Sequence, residues 1–216
     1  MPLMELIEGK LSAPATAALR NEPVQARSTA RLTALLDAAA AAVQELGYER
    51  LTTAMVAERA GASIGTVYRY FPDRIAVLQA LASRNLERVL GGIGEAYADP
   101  SNSTWREAVT AGFDVYVEAF RSEPGFGSLR GGDVIDLRPA VSPATVNSQI
   151  AAVMVQALAE RFDTDASEAT LFAFEIAVEV MDAVVARAFA RDAHGESAFL
   201  DSARELFLSN LAARLG

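Results

Sequence analysis

The side chains best suited to hydrogen bonding with an anionic polymer are concentrated in one segment of the chain. Between Thr53 and Arg74, the hydroxyl and guanidinium groups include those of Thr53, Ser63, Thr66, Tyr68, Arg69, Tyr70 and Arg74. Side chains of these types supply many of the hydrogen bonds to DNA phosphates, and Arg also binds the edge of guanine. The segment therefore has the chemistry of a surface that contacts nucleic acid.

Groups that could support catalysis are few. The only histidine is His194, which precedes Gly195 and is expected in a surface turn, and the chain has no cysteine. These counts exclude disulfides, thiolate zinc sites and a Ser-His-Asp triad built on any other histidine. Asp163 and Asp165 lie in a turn beside no obvious nucleophile. We therefore expect no enzymatic activity, no metal and no other cofactor.

The composition predicts an all-α protein. The 216 residues are 51% hydrophobic and 22% charged, which is enough apolar material for a sizeable core in one or two domains. Alanine, the best helix former, occupies 43 positions, and no window shows the alternation typical of strands. No apolar run approaches 18 residues and the N-terminus has no leader pattern. We therefore expect a cytoplasmic protein with no membrane partner.

Apolar spacing, cap residues and the eight prolines place the helices along the chain. The predicted ranges are about 27–46, 53–60, 63–70, 74–97, 104–122, 144–162, 165–192 and 196–215. Residues 1–24 are interpreted as a loosely ordered arm, followed by a three-helix domain at 25–73 and a helical domain at 74–216. Residues 123–143, rich in glycine and proline, form a long irregular segment of the kind that is usually functional or mobile.

The second and third predicted helices have the spacing of a helix-turn-helix. Ala57 is small enough for a close helix crossing, Gly61 can take a positive φ at the turn, and Val67 can insert into the core between the helices. Many helical hairpins satisfy this spacing by chance. The alternative interpretation is a small structural core that contains Val67, Phe71 and the nearby tyrosines, with Arg69 as a solvated charge.

The run from Leu51 to Arg74, LTTAMVAERAGASIGTVYRYFPDR, resembles the DNA-binding segment of the TetR family of bacterial transcriptional regulators. The resemblance covers about residues 28–80 and includes the glycine turn and the ending Thr-hydrophobic-Tyr-x-aromatic-Phe. One departure is Arg74, where the family most often has Lys; Arg keeps the charge and can bind phosphate bidentately. The resemblance implies that DNA is contacted from the positions of Thr53, Thr66, Tyr68, Tyr70 and Arg74.

The start of the third helix is expected to meet base edges in the major groove, through Ser63, Ile64, Gly65 and Thr66. Ile64 suits the methyl group of thymine, and Gly65 permits close approach of the backbone. Arg69 is favoured for guanine or for an adjacent phosphate. The remaining DNA-contact candidates are Thr53, Tyr68, Tyr70 and Arg74, with Arg27 from the preceding helix.

The net charge of −9 argues against a nucleic-acid partner when it is taken over the whole chain. Residues 1–95, however, carry 10 basic and 10 acidic side chains, so the entire acidic excess lies in residues 96–216. The phosphate contacts of this neutral part then depend on the directions of Arg27, Arg31, Arg69 and Arg74. We expect modest affinity for non-specific DNA.

The helix predicted at 104–122 has an aromatic face, for which ordinary core packing is the simpler explanation. The resemblance implies instead a small-molecule pocket in the C-terminal domain. The candidate lining residues are Trp105, Phe113, Tyr116, Phe120, Met154, Phe174, Glu175 and Met181. The effector would be largely apolar, unless Glu175 or Glu179 faces the pocket and selects a cation.

The last two predicted helices have more apolar surface than one neighbour can cover, which suits the intermolecular four-helix bundle typical of the family. The sequence therefore predicts a homodimeric, ligand-responsive regulator. A repressor that leaves double-stranded operator DNA when a small molecule binds is the favoured form. The alternative is an all-α small-molecule carrier or enzyme whose helix-turn-helix is purely structural.

Overall fold

The structure, a computed structural model, describes residues 22–129 and 146–215, with side chains described from residue 27 and from residue 147 in the two ranges. Within these ranges the chain forms eight α-helices, two short 3-10 turns and no strand, which confirms the all-α prediction. The helices are α1 (Glu22–Leu46), α2 (Thr53–Arg59), α3 (Ile64–Tyr70), α4 (Arg74–Ala98), α5 (Trp105–Ser122), α6 (Val146–Phe162), α7 (Glu168–Arg191) and α8 (Ser197–Leu215). The 3-10 turns are Tyr48–Arg50 and Phe126–Ser128.

The first helix differs most from its predicted bounds. α1 begins at Glu22, inside the arm expected at 1–24, so the prediction was wrong for residues 22–24. Pro23 falls in the first turn of α1, where a backbone N–H would have no helical partner. Proline therefore marks the beginning of this helix and not a break before it. Residues 1–21 of the expected arm lie outside the described residues.

Hydroxyl caps begin four of the other helices, and three of these caps bear directly on the predicted bounds. Thr52 caps α2 by accepting the N–H of Met55 at 3.2 Å, which decides between the two threonines that the sequence offered. Ser63 caps α3 as expected, by accepting the N–H of Thr66 at 3.2 Å. Ser167 caps α7, so that this helix begins three residues later than the predicted start at 165.

The chain forms two compact units. The N-terminal unit contains residues 22–86 and 124–129 of the described chain, and the C-terminal unit contains residues 87–123 and 146–215. The chain passes from the first unit to the second within α4, and it returns to the first unit after α5.

The core of the N-terminal unit joins α1 to the helix-turn-helix. Its fully buried members include Leu35 and Val43 of α1, Val56 of α2, Val67 of α3 and Leu78 of α4. The predicted roles of Ala57 and Val67 in this packing are confirmed, since both side chains are buried in the same cluster.

The turn between α2 and α3 has the geometry that the glycine predicted. Gly61 has a φ of 57°, in the left-handed region that a glycine adopts without strain. The N–H of Gly61 donates to the carbonyl of Glu58 at 3.1 Å, and that of Ala62 donates to the carbonyl of Ala57 at 2.9 Å. This pair of bonds is a Schellman motif, which ends α2 and turns the chain into α3.

The segment after α5 belongs to the N-terminal unit. Gly125, with a φ of 75°, donates its N–H to the side-chain oxygen of Gln44 at 2.8 Å. Leu129 is 2% exposed and packs in the core cluster of α1–α4. The first part of the irregular segment predicted at 123–143 is therefore a 3-10 turn docked on α1. Residues 130–143 of that segment lie outside the described residues.

In the C-terminal unit, α7 contacts both α6 and α8. Phe113 of α5, Phe174 of α7 and Phe207 of α8 are buried, and the rings of Phe113 and Phe207 lie 6.5 Å apart. Other large apolar side chains stay exposed in this unit, namely Phe172, Ile176 and Val180 of α7 and Leu206 of α8.

Candidate nucleic-acid interface

Two large side chains of α3 are exposed although the helix is anchored in the core. Ile64 is 43% exposed and Tyr68 is 54% exposed. Val67, which lies between them in the sequence, is completely buried. Gly65 is also exposed, and a Cβ built on it would meet nothing closer than the Ser63 hydroxyl at 3.9 Å. The first turns of α3 thus leave a methyl-rich side chain, a phenol and bare backbone on the surface.

Four of the predicted contact residues are brought together by hydroxyl pairs. Thr53 at the start of α2 donates its hydroxyl to the phenol oxygen of Tyr68 on α3, at 3.4 Å. The Ser63 and Thr66 hydroxyls lie 2.9 Å apart at the start of α3. Both pairs are exposed, so they can exchange these bonds for bonds to a phosphate.

Tyr70 links the end of α3 to the beginning of α1. Its phenol oxygen lies 3.2 Å from the Ser28 hydroxyl, and the guanidinium carbon of Arg69 lies 5.2 Å from the centre of its ring. The hydrogen bond with Ser28, supported by Arg69 and by the charge of Arg31, holds the pKa of the Tyr70 phenol below its ordinary value. The phenol is therefore in a positive environment at the protein surface.

The start of α1 supplies two arginines to the same region. Arg27 and Arg31 line an open cleft with Ser28, Arg69 and Tyr70. Arg31 is one of the arginines on whose directions the phosphate contacts were expected to depend, and its position four residues after Arg27 places both on one face of a helix.

Arg74 has a structural partner as well as an exposed position. One terminal nitrogen of its guanidinium donates to the backbone carbonyl of Glu49 at 2.7 Å, which joins the start of α4 to the first 3-10 turn. The guanidinium has five donors, so the others remain for a phosphate. Removal of the Arg74 side chain thus eliminates a hydrogen bond of the fold together with any bond to phosphate.

Residues 103–215 match the family model described as the C-terminal domain of tetracycline repressor-like proteins. Residues 35–81 match the model described as bacterial regulatory proteins of the tetR family. The chain belongs to the TetR family. The first match covers α5 to α8, and the second covers the helix-turn-helix with parts of α1 and α4.

Similarity to a solved TetR-family structure extends over most of the chain. A TetR-family transcriptional regulator from Streptomyces coelicolor is 31% identical, with a TM-score of 0.72 over 86% of this chain and 99% of that one. A TetR from Acinetobacter baumannii, solved in complex with minocycline, shares the fold at 22% identity, with a TM-score of 0.55 over 84% of this chain and 97% of that one.

Among curated proteins, the similarity is confined to a shorter segment. The transcriptional repressor KstR of Rhodococcus jostii is 42% identical over 55 residues, which are 26% of this chain and 26% of that protein. The chain therefore spans about a quarter of the length of this relative.

The candidate ligand residues of this TetR-family chain fall into two groups. The side chains of Phe113, Met154, Phe174 and Met181 are buried, and those of Trp105, Tyr116, Phe120 and Glu175 are half-buried. Trp105 lies at the start of α5, and the guanidinium of Arg106 covers its ring at 5.0 Å. Burial alone does not separate a pocket wall from ordinary core, so this residue set stays a prediction.

Tyr116 and Phe120 come together with two residues that were not among the ligand candidates. The rings of Tyr116 and Phe120 meet edge to face at 5.4 Å, and Phe120 stacks on Phe189 at 4.7 Å. The Tyr116 hydroxyl donates to the carboxylate of Asp182 on α7. Asp182 is distant from Tyr116 along the chain, so no local signal in the sequence indicated this pairing.

Across residues 22–129 and 146–215 no cluster of three or more His, Asp or Glu side chains could hold a metal ion. No helix within those same ranges is both long and apolar enough to span a membrane.

Proposed function

We propose that this TetR-family chain is a ligand-responsive transcriptional repressor that binds operator DNA as a homodimer. The observation that carries the proposal is the exposed surface of α3, with Ile64 and Tyr68 outside and Val67 buried beneath them. An exposed isoleucine and phenol on a short anchored helix, beside hydroxyl and guanidinium groups, fit the floor and walls of a major groove.

The chemistry of each side chain on this surface indicates whether it contacts bases or phosphates. Ile64, Gly65 and Thr66 occupy the end of α3 that meets base edges in a helix-turn-helix, and Ile64 supplies the apolar contact that a thymine methyl requires. The hydroxyls of Thr53 and Tyr68 are donors for phosphate. The Ser63 oxygen accepts the cap bond from Thr66, so its O–H can also donate to a phosphate. Arg27, Arg69, Tyr70 and Arg74 complete the set as cationic and phenolic donors.

A binding assay on full-length protein tests the DNA surface. We expect retardation of a duplex from around its own gene and weaker retardation of a scrambled duplex of equal length. Ile64→Ala should lower affinity for the first duplex about tenfold and leave the second nearly unchanged, because the isoleucine reads bases. Equal reductions on both duplexes would contradict the base contact.

The phosphate contacts have a separate signature. Tyr68→Phe removes one hydroxyl and retains the ring. Combined with Arg74→Ala, it should flatten the plot of log K against log salt by about 0.9 for each phosphate whose charge is no longer neutralised. Because Arg74 also bonds to Glu49, the melting temperature of each variant is measured alongside. A stable variant with the parental slope would remove Arg74 from the phosphate surface, because Arg74 carries the only charge that the two substitutions remove.

The homodimer is proposed to form through α7 and α8. Phe172, Ile176 and Val180 recur every four residues and make an apolar stripe along α7, and α8 carries one further large exposed apolar side chain, Leu206. Exposed stripes of this kind on a soluble protein indicate a protein–protein contact, and a second copy of the chain offers the same stripe. Because α7 packs on α8 within one chain, two copies that meet through these helices can form a four-helix bundle.

Sedimentation equilibrium tests the dimer. Phe172→Glu places a charge in the stripe and should convert the protein to a monomer at concentrations at which the parent is a dimer. Ile64→Glu is the matched control, since it replaces an exposed apolar side chain in the other unit and should leave the mass unchanged. A dimeric Phe172→Glu protein would place the interface elsewhere.

The effector is proposed to be a small, largely apolar molecule bound in the C-terminal unit. Half-buried Trp105, Tyr116 and Phe120 offer aromatic surface, and the A. baumannii TetR of similar fold was solved with minocycline bound. Trp105 is the only tryptophan, so quenching of its fluorescence reports on this unit. Suppose that a compound found by quenching lowers the affinity of the protein for operator DNA by a certain factor. Operator DNA must then lower the affinity of the protein for the compound by the same factor. Unequal factors would refute the coupling, and quenching without any specific DNA binding would favour a carrier.

A further inference from the structure

The aromatic face of α5 contains one position without a side chain. Gly112 lies seven residues after Trp105 and four before Tyr116, a spacing that places all three on one side of the helix. Tyr97 of α4 fills this position, since a Cβ added to Gly112 would lie 2.9 Å from the Cε1 atom of Tyr97. Cε1 is bonded to the ring carbon that bears the hydroxyl, so the phenol end of Tyr97 lies at this face. All four residues belong to the C-terminal unit.

The phenol of Tyr97 is buried without a hydrogen-bond partner. Tyr97 is 3% exposed, and no group in the described part of the chain makes a hydrogen bond with its oxygen. Burial is the one cause that shifts the pKa of this phenol, and it raises the pKa well above the ordinary value. The hydroxyl therefore keeps its proton throughout the physiological pH range. The C-terminal unit thus contains a neutral O–H donor in apolar surroundings.

A hydroxyl in this state opposes folding unless something binds to it. Phenylalanine would fill nearly the same volume without the penalty of a buried polar group that makes no hydrogen bond. An ordered water is a poor partner, because a buried water makes about three hydrogen bonds and the Tyr97 phenol offers one group. Ligand pockets, by contrast, are largely apolar and contain a few precisely placed polar groups. A single donor beside an aromatic helix face fits that description.

We propose that the Tyr97 hydroxyl donates a hydrogen bond to a carbonyl oxygen of the effector, and that the effector is an apolar ketone or ester. The inference rests on the proposed function, because it names the chemical class of the small molecule bound in the C-terminal unit. A carbonyl oxygen accepts the bond and brings no hydrogen of its own. An alcohol in the same place would leave one of the two hydroxyl hydrogens without an acceptor, which is costly in apolar surroundings.

Three bicyclic probes that differ at one position test this contact. Equilibrium dialysis measures the binding of 1-tetralone (a ketone), 1-tetralol (the alcohol) and tetralin (the hydrocarbon) to the full chain. Tyr97→Phe retains the ring and removes the hydroxyl. It should weaken the binding of 1-tetralone about tenfold, the loss expected for one hydrogen bond from a buried donor, and leave tetralin binding unchanged. The loss for 1-tetralol should be smaller than the loss for 1-tetralone.

Tyr48→Phe is the matched control. It makes the same chemical change at a partly buried tyrosine of the N-terminal unit, so it should leave the binding of all three probes unchanged. Thermal unfolding without any probe gives a second readout. Tyr97→Phe should melt at the parental temperature or above it, because the substitution removes a buried hydroxyl that has no partner in the fold. A clearly lower melting temperature would show that the hydroxyl stabilises the fold, and this result would overturn the proposal.

The outcomes separate this inference from the proposed function. If Tyr97→Phe binds 1-tetralone as tightly as the parent does, or loses equal affinity for 1-tetralone and tetralin, the hydroxyl is not the donor and the inference is overturned. A parent that binds neither probe overturns it as well. In each of these cases, retardation of operator DNA leaves the repressor proposal standing. A parent that retards no duplex, but whose Tyr97→Phe variant shows the tenfold loss, would support the Tyr97 contact and contradict the repressor.

Discussion

Replacement of Gly125 by alanine tests how tightly the segment after α5 is seated on α1. Gly125 has a φ of 75°, and a Cβ added there would lie 3.0 Å from the Cγ1 of Val43 and 3.2 Å from the backbone oxygen of Ala40. The valine methyl can shift slightly, but the carbonyl belongs to a helix and cannot. Gly125→Ala therefore forces the segment away from α1 or strains both.

The expected cost has two parts. An alanine held at positive φ costs about 1 kcal/mol after the gain from a stiffer unfolded chain is counted. Steric overpacking against a fixed backbone adds about 1–3 kcal/mol. We therefore expect Gly125→Ala to lower the free energy of unfolding by about 2–4 kcal/mol in all.

Gly61→Ala is the matched control, because it isolates the first part. Gly61 also has a positive φ, of 57°, but a Cβ built on it meets nothing within 4 Å. Urea unfolding of the full chain, followed by circular dichroism, gives both free energies, and hydrogen exchange of the α1 amides shows whether the destabilisation falls on the N-terminal unit. If Gly125→Ala costs no more than Gly61→Ala, the close contact with Ala40 and Val43 does not exist.

Three further outcomes follow from packing and charge. Leu129→Ala should cost about 2–5 kcal/mol in the same urea experiment, because it empties a buried position of the N-terminal core; a cost near zero would remove Leu129 from that core. Gly91→Ala should stabilise by about 0.5–1 kcal/mol, since this glycine is helical with open space at its Cβ, and a destabilised variant would reveal an unseen neighbour. Hydrogen bonds from Ser167 and Thr170 lower the pKa of Asp165, so its charge stabilises the fold above about pH 4 and this contribution is lost as the pH falls through the lowered pKa. The melting temperature of Asp165→Asn should accordingly lie below that of the parent at neutral pH and approach it in acid, and a gap that persists in acid would show that charge is not the cause.

Features of the fold that depend on neighbouring residues were predictable from the sequence. The cap at Ser63 and the positive φ of Gly61 each follow from interactions within one or two turns of helix, and the spacing from Gly61 was enough to indicate that Val67 is buried. The resemblance to the TetR family could be seen for the same reason, because it rests on residues that are close together in the sequence. The start of α1 was misplaced because Pro23 fits a first turn as well as it fits a loop.

Features that depend on distant pairings were not predictable. Arg31 and Tyr70 lie far apart in sequence, and their common cleft exists only once α1 and α3 are packed. The contact of Tyr116 with Asp182 likewise joins two helices that periodicity describes one at a time. Periodicity shows which face of a helix is apolar, but it does not show which residue of another helix will meet it.

The burial of Leu129 has a consequence for the order in which the protein is made. A ribosome releases the chain from the N-terminus, so α1 to α3 leave the ribosome before residue 129 does. During that interval the helices of the DNA-binding unit face solvent at the position that Leu129 later fills. The nascent helix-turn-helix therefore reaches its final stability only after α5 of the other unit has left the ribosome, so completion of the N-terminal unit depends on the synthesis of a helix of the C-terminal unit.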